Sequence, residues 1–283
     1  MSTPAPVLAP ADAFAPADLH AAQLAAFADY VAGPVQMTAD QWPSFLQRQG
    51  IDLARSRVAV LDGRIVALAL ACPRPDVARW RLAAMGASPA ARGTGAAPAL
   101  LDDFLDRARQ AGAGFAELEC FAANERALRL YRGRGFEDVW PLNGWKPGAG
   151  PAPAPAPAEP AIRTVAREAA LAWLAEAGRA AAWLPFQGTA RSLSAQARPL
   201  TGWRHGGAQL IFSVVEGTPT TIHSLVDLDP GLRDAEALAL ALRRTHPDAV
   251  APALLPDAVG GDALRRAGFE REALNQVLLR RPL

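Results

Sequence analysis

The chain has 283 residues, a length that suits two domains better than one. Its formal net charge is +1, so no basic field is available to attract nucleic acid, and 51% of its residues are apolar, enough for a core in each half. No run of about 20 apolar residues could span a membrane, and the N-terminus lacks the basic start and apolar stretch of a signal peptide. We therefore expect a cytoplasmic protein that binds neither nucleic acid nor membrane.

Metal binding and disulfide bonding are not indicated. The two cysteines, Cys72 and Cys120, lie singly inside apolar runs and are expected to be small core fillers. The four histidines are scattered without the spacing of metal ligands. We therefore expect no metal.

The N-terminal segment is predicted to be irregular at first and then helical. Residues 1–15 are rich in Pro and Ala, and we expect them to be flexible, apart from a short edge strand near Val7-Leu8. A helical pattern of apolar residues begins at Asp18, and residues 41–49 predict a second helix.

Three strands are predicted next. Apolar runs at 57–61 and 64–72 flank Asp62-Gly63, which is a strong signal for a two-residue hairpin turn. Residues 79–87 predict the third strand.

That strand leads into a glycine-rich loop, R-G-T-G-A-A at residues 92–97, and then into a helix. Gly93 and Gly95 remove side chains that would obstruct a diphosphate, and the amides and dipole of a helix N-terminus favour an anion. Arg92 either supplies charge or shapes the turn. An ordinary turn between a strand and a helix could have the same composition.

A strand is predicted over residues 115–121, followed by a short helix over 124–134 that Gly135 ends. Asn124 and Tyr131 are seven residues apart, so they share one face of this helix. Taken singly, Asn124 suits a helix N-cap and Tyr131 suits a packed aromatic position.

The clearest boundary in the chain is the segment 147–160, PGAGPAPAPAPAEP, which follows a possible last strand at 139–145. Alternating Ala and Pro favour extended polyproline II, a semi-rigid spacer. We expect it to separate a domain at 16–146 from one at 161–283.

The second half repeats the first in weaker form. Leu228-Asp229-Pro230 parallels Ala87-Ser88-Pro89, and the Gly268-Phe269 pair parallels Gly135-Phe136. Such internal similarity indicates two copies of one domain.

The combined order of strand, R-G-T-G-A-A loop, helix, strand and N-x-x-A-x-x-L-Y-x-x-x-G-F resembles the GNAT superfamily of acyl-CoA N-acyltransferases. Residues Trp80–Phe136 carry the resemblance, and Arg92, Gly95 and Ala97 fill the family's Q/R-x-x-G-x-G/A loop. It implies an α/β (α+β) fold class with two tandem GNAT-like domains, each a mixed, mostly antiparallel sheet flanked by helices. The implied organisation is a flexible N-terminus at 1–15, a catalytic domain at 16–146, a Pro/Ala linker at 147–160 and a degenerate GNAT-like domain at 161–283.

The resemblance further implies acetyl-CoA as the co-substrate. Asn124 would touch its pantetheine or adenosine part, and Tyr131 would lie by the sulfur and protonate the leaving thiolate. The other residues implied in coenzyme A binding are Met85, Gly86, Ala87, Arg92, Gly93, Thr94, Gly95, Ala96 and Ala97.

Several candidates exist for the base that removes a proton from the attacking ammonium group. Glu119, on the strand before Asn124, is the best side-chain candidate by resemblance, and Glu117 on the same strand face is the next. Glu119 could equally be a solvated strand residue, and water could carry the proton to bulk solvent.

The implied function is an N-acetyltransferase acting on a small-molecule or peptide amine. The alternatives are a non-catalytic coenzyme A-binding or scaffold protein and an acyltransferase that uses another acyl-CoA. Either a monomer with pseudo-dimeric domains or a homodimer is expected. Candidates to line the acceptor pocket are Tyr30, Trp42, Trp80, Trp140 and Trp145.

The second copy lacks the decisive residues. When the two Pro positions are aligned, Glu236 takes the place of Gly95. When the two Gly-Phe pairs are aligned, Leu264 takes the place of Tyr131 and Asp257 that of Asn124. We therefore predict that catalysis resides in the first copy.

Overall fold

A computed structural model describes residues 6–151, 153, 161–180 and 184–283. The chain divides into two compact units: unit 1 is Met1–Val139 with Leu278–Leu283, and unit 2 is Trp140–Val277. Residues 1–5 of the predicted flexible N-terminus and residues 152 and 154–160 of the predicted linker lie outside the described residues.

Unit 1 is an α/β unit with a mixed sheet. Its strands are β1 (Val7–Pro10), β2 (Asp52–Leu61), β3 (Arg64–Arg74), β4 (Arg79–Ala87) and β5 (Phe115–Phe121). Its helices are α1 (Pro16–Ala26), α2 (Trp42–Gln49), α3 (Ala96–Gln110) and α4 (Glu125–Arg132). Strands β1 to β4 pair antiparallel in chain order, and β4 and β5 pair in parallel.

The β2–β3 turn has the predicted hairpin geometry. Asp62 and Gly63 both have positive φ, 50° and 74°, as a two-residue turn matching the strand twist requires. Leu19 of α1 and Trp42 of α2 are buried in one apolar cluster with side chains of β2 and β3, including Leu68 of β3. The N-terminal segment joins this core from residue 7 onward, since β1 pairs with β2 and Ala11 is completely buried.

The parallel pair β4–β5 positions the site. Its register begins at Arg79–Phe115 and ends at Leu82–Leu118, and a register shift in the β3–β4 pairing lies beside this end. Such an irregularity bends a strand locally. Met85–Ala87 therefore lie on β4 beyond the ladder that it shares with β5.

Unit 2 is also built from sheets and flanking helices. Its elements are β7 (Arg163–Val165), α5 (Arg167–Ala180), α6 (Ala190–Ser194), β8 (Thr201–His205), β9 (Ala208–Ser213), β10 (Thr221–Asp227), α7 (Arg233–Thr245), β11 (Ala251–Leu255), α8 (Gly261–Arg266) and β12 (Phe269–Arg271). Strands β7 to β10 form an antiparallel sheet in chain order, and Thr221 makes a parallel bridge to Val250 beside β11.

Two strands cross the division between the units. The strand β6 (Glu137–Pro147) pairs with β11 and β12 through its residues in unit 2. The last strand, β13 (Gln276–Pro282), enters unit 1 at Leu278, and the N–H of Leu283 donates to the Gly114 carbonyl at 3.1 Å. Residues 140–146, expected in the first domain, thus belong to unit 2, and the C-terminus belongs to unit 1. Local sequence patterns predict strands but not the sheet that a terminal strand joins.

None of the helices in the described parts of the chain has the length and apolar character needed to cross a membrane.

Candidate active site

Unit 1 contains a cavity of about 470 Å³, within the range typical of small-molecule sites. Four segments form it: the end of α1 and the residues after it, the end of β4, the glycine-rich loop with the start of α3, and α4. The lining residues are Ala26, Phe27, Asp29, Tyr30, Val31, Met85, Gly86, Ala87, Ala91, Arg92, Gly93, Gly95, Ala96, Ala97, Pro98, Asn124, Arg126, Ala127, Leu130 and Tyr131.

The glycine-rich loop has the geometry of an anion site. Gly93 and Gly95 both have φ of +84°, and a Cβ built at either position would meet no heavy atom within 4 Å. Gly95 is the N-cap of α3. The N–H groups in the first turn of an α-helix have no hydrogen-bond acceptor within that helix. The loop therefore presents main-chain N–H groups and a helix N-terminus at an uncrowded surface of the cavity.

Thr94 turns away from the cavity. Its hydroxyl donates to the Ala91 carbonyl at 2.7 Å, and its main-chain N–H also donates to that carbonyl. The predicted loop residues other than Thr94 all line the cavity, so Thr94 serves the shape of the turn.

The end of β4 forms a second wall of the cavity. Met85, Gly86 and Ala87 all line it. A Cβ at Gly86 would lie 3.0 Å from Ala26 and 3.1 Å from the ring of Phe27. Glycine at this position therefore lets the end of α1 approach β4 closely.

Helix α4 brings Asn124 and Tyr131 to the cavity. The Asn124 side chain caps the helix by accepting a hydrogen bond from the Ala127 N–H at 3.2 Å, and it also lines the cavity, so the two roles are compatible. Tyr131 is 6% exposed, and burial raises the pKa of its phenol above the usual range, with smaller contributions from Cys120 and Tyr30. This phenol stays protonated at neutral pH.

Two further weak acids lie close to Tyr131. Burial raises the pKa of Tyr30, which also lines the cavity. Burial likewise raises the pKa of Cys120 to about 12, so the thiol is protonated at neutral pH and is not an activated nucleophile.

Glu119 and Glu117 do not line the cavity. Both oxygens of Glu119 accept from the Nε of Arg81, at 3.1 and 2.8 Å, and the two side chains are 4% and 1% exposed. Glu117 accepts from Arg74 at 2.6 Å and from Arg79 at 3.4 Å. Carboxylates held by buried guanidinium groups are poorly placed to take a proton from a substrate, so the geometry does not favour either residue as the base.

Of the aromatic residues suggested for an acceptor pocket, Tyr30 lines the cavity. Trp42, Trp80 and Trp145 are at most 5% exposed and belong to the cores, and Trp140 is half-buried away from the cavity lining.

Several lining residues were not anticipated from the sequence. Phe27 and Val31 were expected on the apolar face of the first helix, but α1 ends at Ala26, and both line the cavity together with Asp29. Ala127 could have been found, because it shares the helical face of Asn124 and Tyr131.

The equivalent loop of unit 2 is filled by its own acidic side chains. Asp227 accepts from the Ala235 N–H in the first turn of α7 and from the Asp229 N–H, both at 2.9 Å. Asp229 accepts from the Gly231 N–H at 2.9 Å. Glu236 pairs with Arg266 at 2.7 Å. Amides in the first turn of α7 and just before it thus donate to carboxylates of the same unit.

The unit 2 counterparts of Asn124 and Tyr131 do not form a comparable site. Leu264, at the position of Tyr131, is completely buried in the core. Asp257, at the position of Asn124, accepts from Asn143 at 2.9 Å and pairs with Arg271 at 2.5 Å.

Among the described residues, no group of three or more His, Cys, Asp or Glu side chains could hold a metal ion. The lining of the unit 1 cavity combines main-chain groups at a helix start, the end of a strand and a protonated phenol.

Comparison with known proteins finds one matching family model and several similar solved structures. The model of the Acetyltransferase (GNAT) family matches residues 23–136. A GCN5-related N-acetyltransferase from Sphaerobacter thermophilus has 20% identity and a TM-score of 0.68, covering 99% of this chain and 97% of that one. A GCN5-related N-acetyltransferase from Kribbella flavida has 17% identity and a TM-score of 0.64, covering 98% of this chain and 71% of that one. No curated protein matches the chain.

The family match thus covers residues 23–136, and the activity that this family supports in general is acyl transfer. The predicted resemblance and fold class, two tandem GNAT-like domains with mostly antiparallel sheets flanked by helices, are confirmed. At these identities the solved structures show the fold alone.

Proposed function

We propose that unit 1 transfers an acetyl group from acetyl-CoA to a primary amine, with Tyr131 as the general acid. The observation that carries this proposal is the convergence of three separate segments on one cavity: the Arg92–Ala97 loop, the Met85–Ala87 strand end and the α4 face with Asn124 and Tyr131.

In this proposal the donor is bound largely by the main chain. The amides of the loop hold the diphosphate, and the edge of β4 at Met85–Ala87 pairs with the pantetheine arm. The end of the β4–β5 ladder at Leu82–Leu118 supports the second assignment, because it leaves the following part of β4 available to an extended ligand. Asn124 contacts the pantetheine or adenosine part.

The proposed reaction is direct attack. The lone pair of the neutral amine forms a C–N bond to the thioester carbon, and an N–H of the Met85–Ala87 segment stabilises the tetrahedral oxyanion. The C–S bond then breaks, and Tyr131 donates its proton to the sulfur. The proton that the amine loses passes to water, and water returns one to Tyr131.

Water is assigned as the proton acceptor because the two strand carboxylates are engaged in ion pairs. Glu119 is held by Arg81, and Glu117 by Arg74 and Arg79. An ordered water in the cavity can relay the proton to bulk solvent at little cost in free energy.

The proposal is tested by screening a library of amines with acetyl-CoA and measuring release of free thiol. Product formation with at least one amine supports the proposal. A chain that binds acetyl-CoA yet releases no thiol with any amine would be a coenzyme A-binding protein instead. Repeating the screen with longer acyl-CoAs identifies the preferred donor.

We further propose that unit 2 is a degenerate copy that binds no coenzyme A. Calorimetric titration is expected to give one acetyl-CoA per chain, because Asp227 and Asp229 already accept from the Ala235 and Gly231 amides of the unit 2 loop. A stoichiometry of two would contradict this assignment.

Gly95→Glu should weaken acetyl-CoA binding by about tenfold or more. A side chain at φ +84° is strained by about 1–2 kcal/mol, and a carboxylate in the loop repels the diphosphate. Gly112→Glu is a matched control at the other end of α3, with φ of +73° and equally open surroundings but outside the cavity. Equal losses of affinity in both variants would argue against a diphosphate site in the loop.

A further inference from the structure

The glycine-rich loop is tied to the segment that follows α1 by one side-chain contact. The guanidinium of Arg92 donates through Nη1 to Oδ2 of Asp29 at 2.5 Å and through Nη2 to Oδ1 of the same carboxylate. The two residues are far apart in sequence, and both line the cavity. The contact therefore joins two segments of the cavity wall.

This ion pair changes what Arg92 can contribute. The Arg92 guanidinium lowers the pKa of Asp29, so the carboxylate is ionised at neutral pH and compensates the positive charge. The side chains are 32% and 52% exposed. Arg92 consequently offers the diphosphate little uncompensated charge while Asp29 remains its partner.

Asp29 lies in a loop that forms part of the cavity wall. The loop runs from Phe27 to Val35 and is closed by hydrogen bonds from Gly33 N–H to the Tyr30 carbonyl at 2.8 Å and from Val35 N–H to the Phe27 carbonyl at 3.3 Å. The rings of Phe27 and Tyr30 contact each other and line the cavity. Any contact that fixes this loop also fixes those rings.

We infer that Asp29 is a positioning residue, which acts through Arg92 to hold the Phe27–Val35 loop across the acyl-CoA cavity. The inference rests on the proposed function and adds a residue that does not react itself. The direction in which loss of the Asp29 carboxylate changes acetyl-CoA affinity distinguishes positioning from charge repulsion. By Coulomb's law alone, removing a carboxylate beside a diphosphate should strengthen binding, whereas loss of a fixed wall should weaken it.

The test measures acetyl-CoA binding by calorimetry for the full-length wild type, Asp29→Asn, Arg92→Gln, the double variant and Asp29→Glu. Asp29→Asn is expected to bind about two- to fivefold more weakly, the range typical of an exposed ion pair. The double variant should bind no more weakly than Arg92→Gln, because both changes break one contact. Asp29→Glu should restore part of the loss.

Asp138→Asn is the matched control. Asp138 forms a similar two-point ion pair with Arg132, at 3.1 and 2.7 Å, with comparable exposure but outside the cavity. It should leave affinity unchanged. Near 1 M salt the ratio of the acetyl-CoA dissociation constants of Asp29→Asn and wild type should approach one, because salt screens exposed pairs.

Affinity that is unchanged or increased in Asp29→Asn, or additive losses in the double variant, would overturn the inference while leaving the proposed function intact. A wild-type chain that binds neither coenzyme A nor acetyl-CoA would overturn both.

Discussion

Tyr131→Phe is expected to lower kcat by about 100–1000-fold, the lower part of the usual contribution of a general acid, with little change in acetyl-CoA affinity. The phenol is buried at the cavity, and its ring packs edge-on against Phe136 at 6.0 Å between centroids. Phenylalanine keeps that packing and removes the proton donor alone. The measurement is steady-state kinetics with an amine from the thiol-release screen, together with calorimetry of acetyl-CoA.

The pH dependence provides a second test of Tyr131. A general acid must be protonated, so activity is lost as pH rises through its pKa. Burial raises the pKa of Tyr131 above its ordinary value of about 10. Wild-type kcat should therefore show no decline attributable to this phenol between pH 7 and 10.

Tyr30→Phe is the appropriate comparison, because Tyr30 is a half-buried phenol with a raised pKa in the same cavity. Its effect on kcat should be clearly smaller than that of Tyr131→Phe. If Tyr131→Phe retains the full rate, the residue has no part in proton transfer, and equal losses in both variants would leave the acid unassigned.

The parts of the site that lie close together in sequence were predictable. The strand at 79–87, the loop at 92–97 and the strand at 115–121 were read from periodicity and glycine placement, and the structure has them as predicted. The family resemblance predicted that these segments meet at one site. That resemblance depends on the order of the motifs along the chain, because each motif alone also fits an ordinary turn or helix.

The parts that depend on contacts between distant residues were not predictable. Nothing in the sequence pairs Asp29 with Arg92 or brings the C-terminal strand to unit 1. The same limitation affected Glu119. Its position on β5 was predicted correctly, but its partner Arg81 lies on β4, and only the β4–β5 register brings the two together.

The ion pairs around Glu117 illustrate how such distant contacts stabilise unit 1. Glu117 is 2% exposed and accepts from Arg74, Arg79 and Arg280, at 2.6, 3.4 and 3.5 Å. Arg280 belongs to the C-terminal strand, so the cluster joins β3, the start of β4, β5 and the last residues of the chain. Burying these charges is costly, and the mutual attraction offsets that cost only while the carboxylate is present.

Glu117→Gln is accordingly expected to lower the free energy of unfolding by about 3–5 kcal/mol, the usual effect of removing one partner from a buried ion pair. The amide keeps the volume of the side chain but leaves the arginines without this counter-charge. Glu125→Gln makes the same exchange at an exposed pair with Arg129, where Glu125 is 81% exposed, and should have no measurable effect. Chemical denaturation of the full chain compares the variants. Equal stability of both would mean that water or other groups compensate the arginines, and that the cluster does not anchor the C-terminal strand.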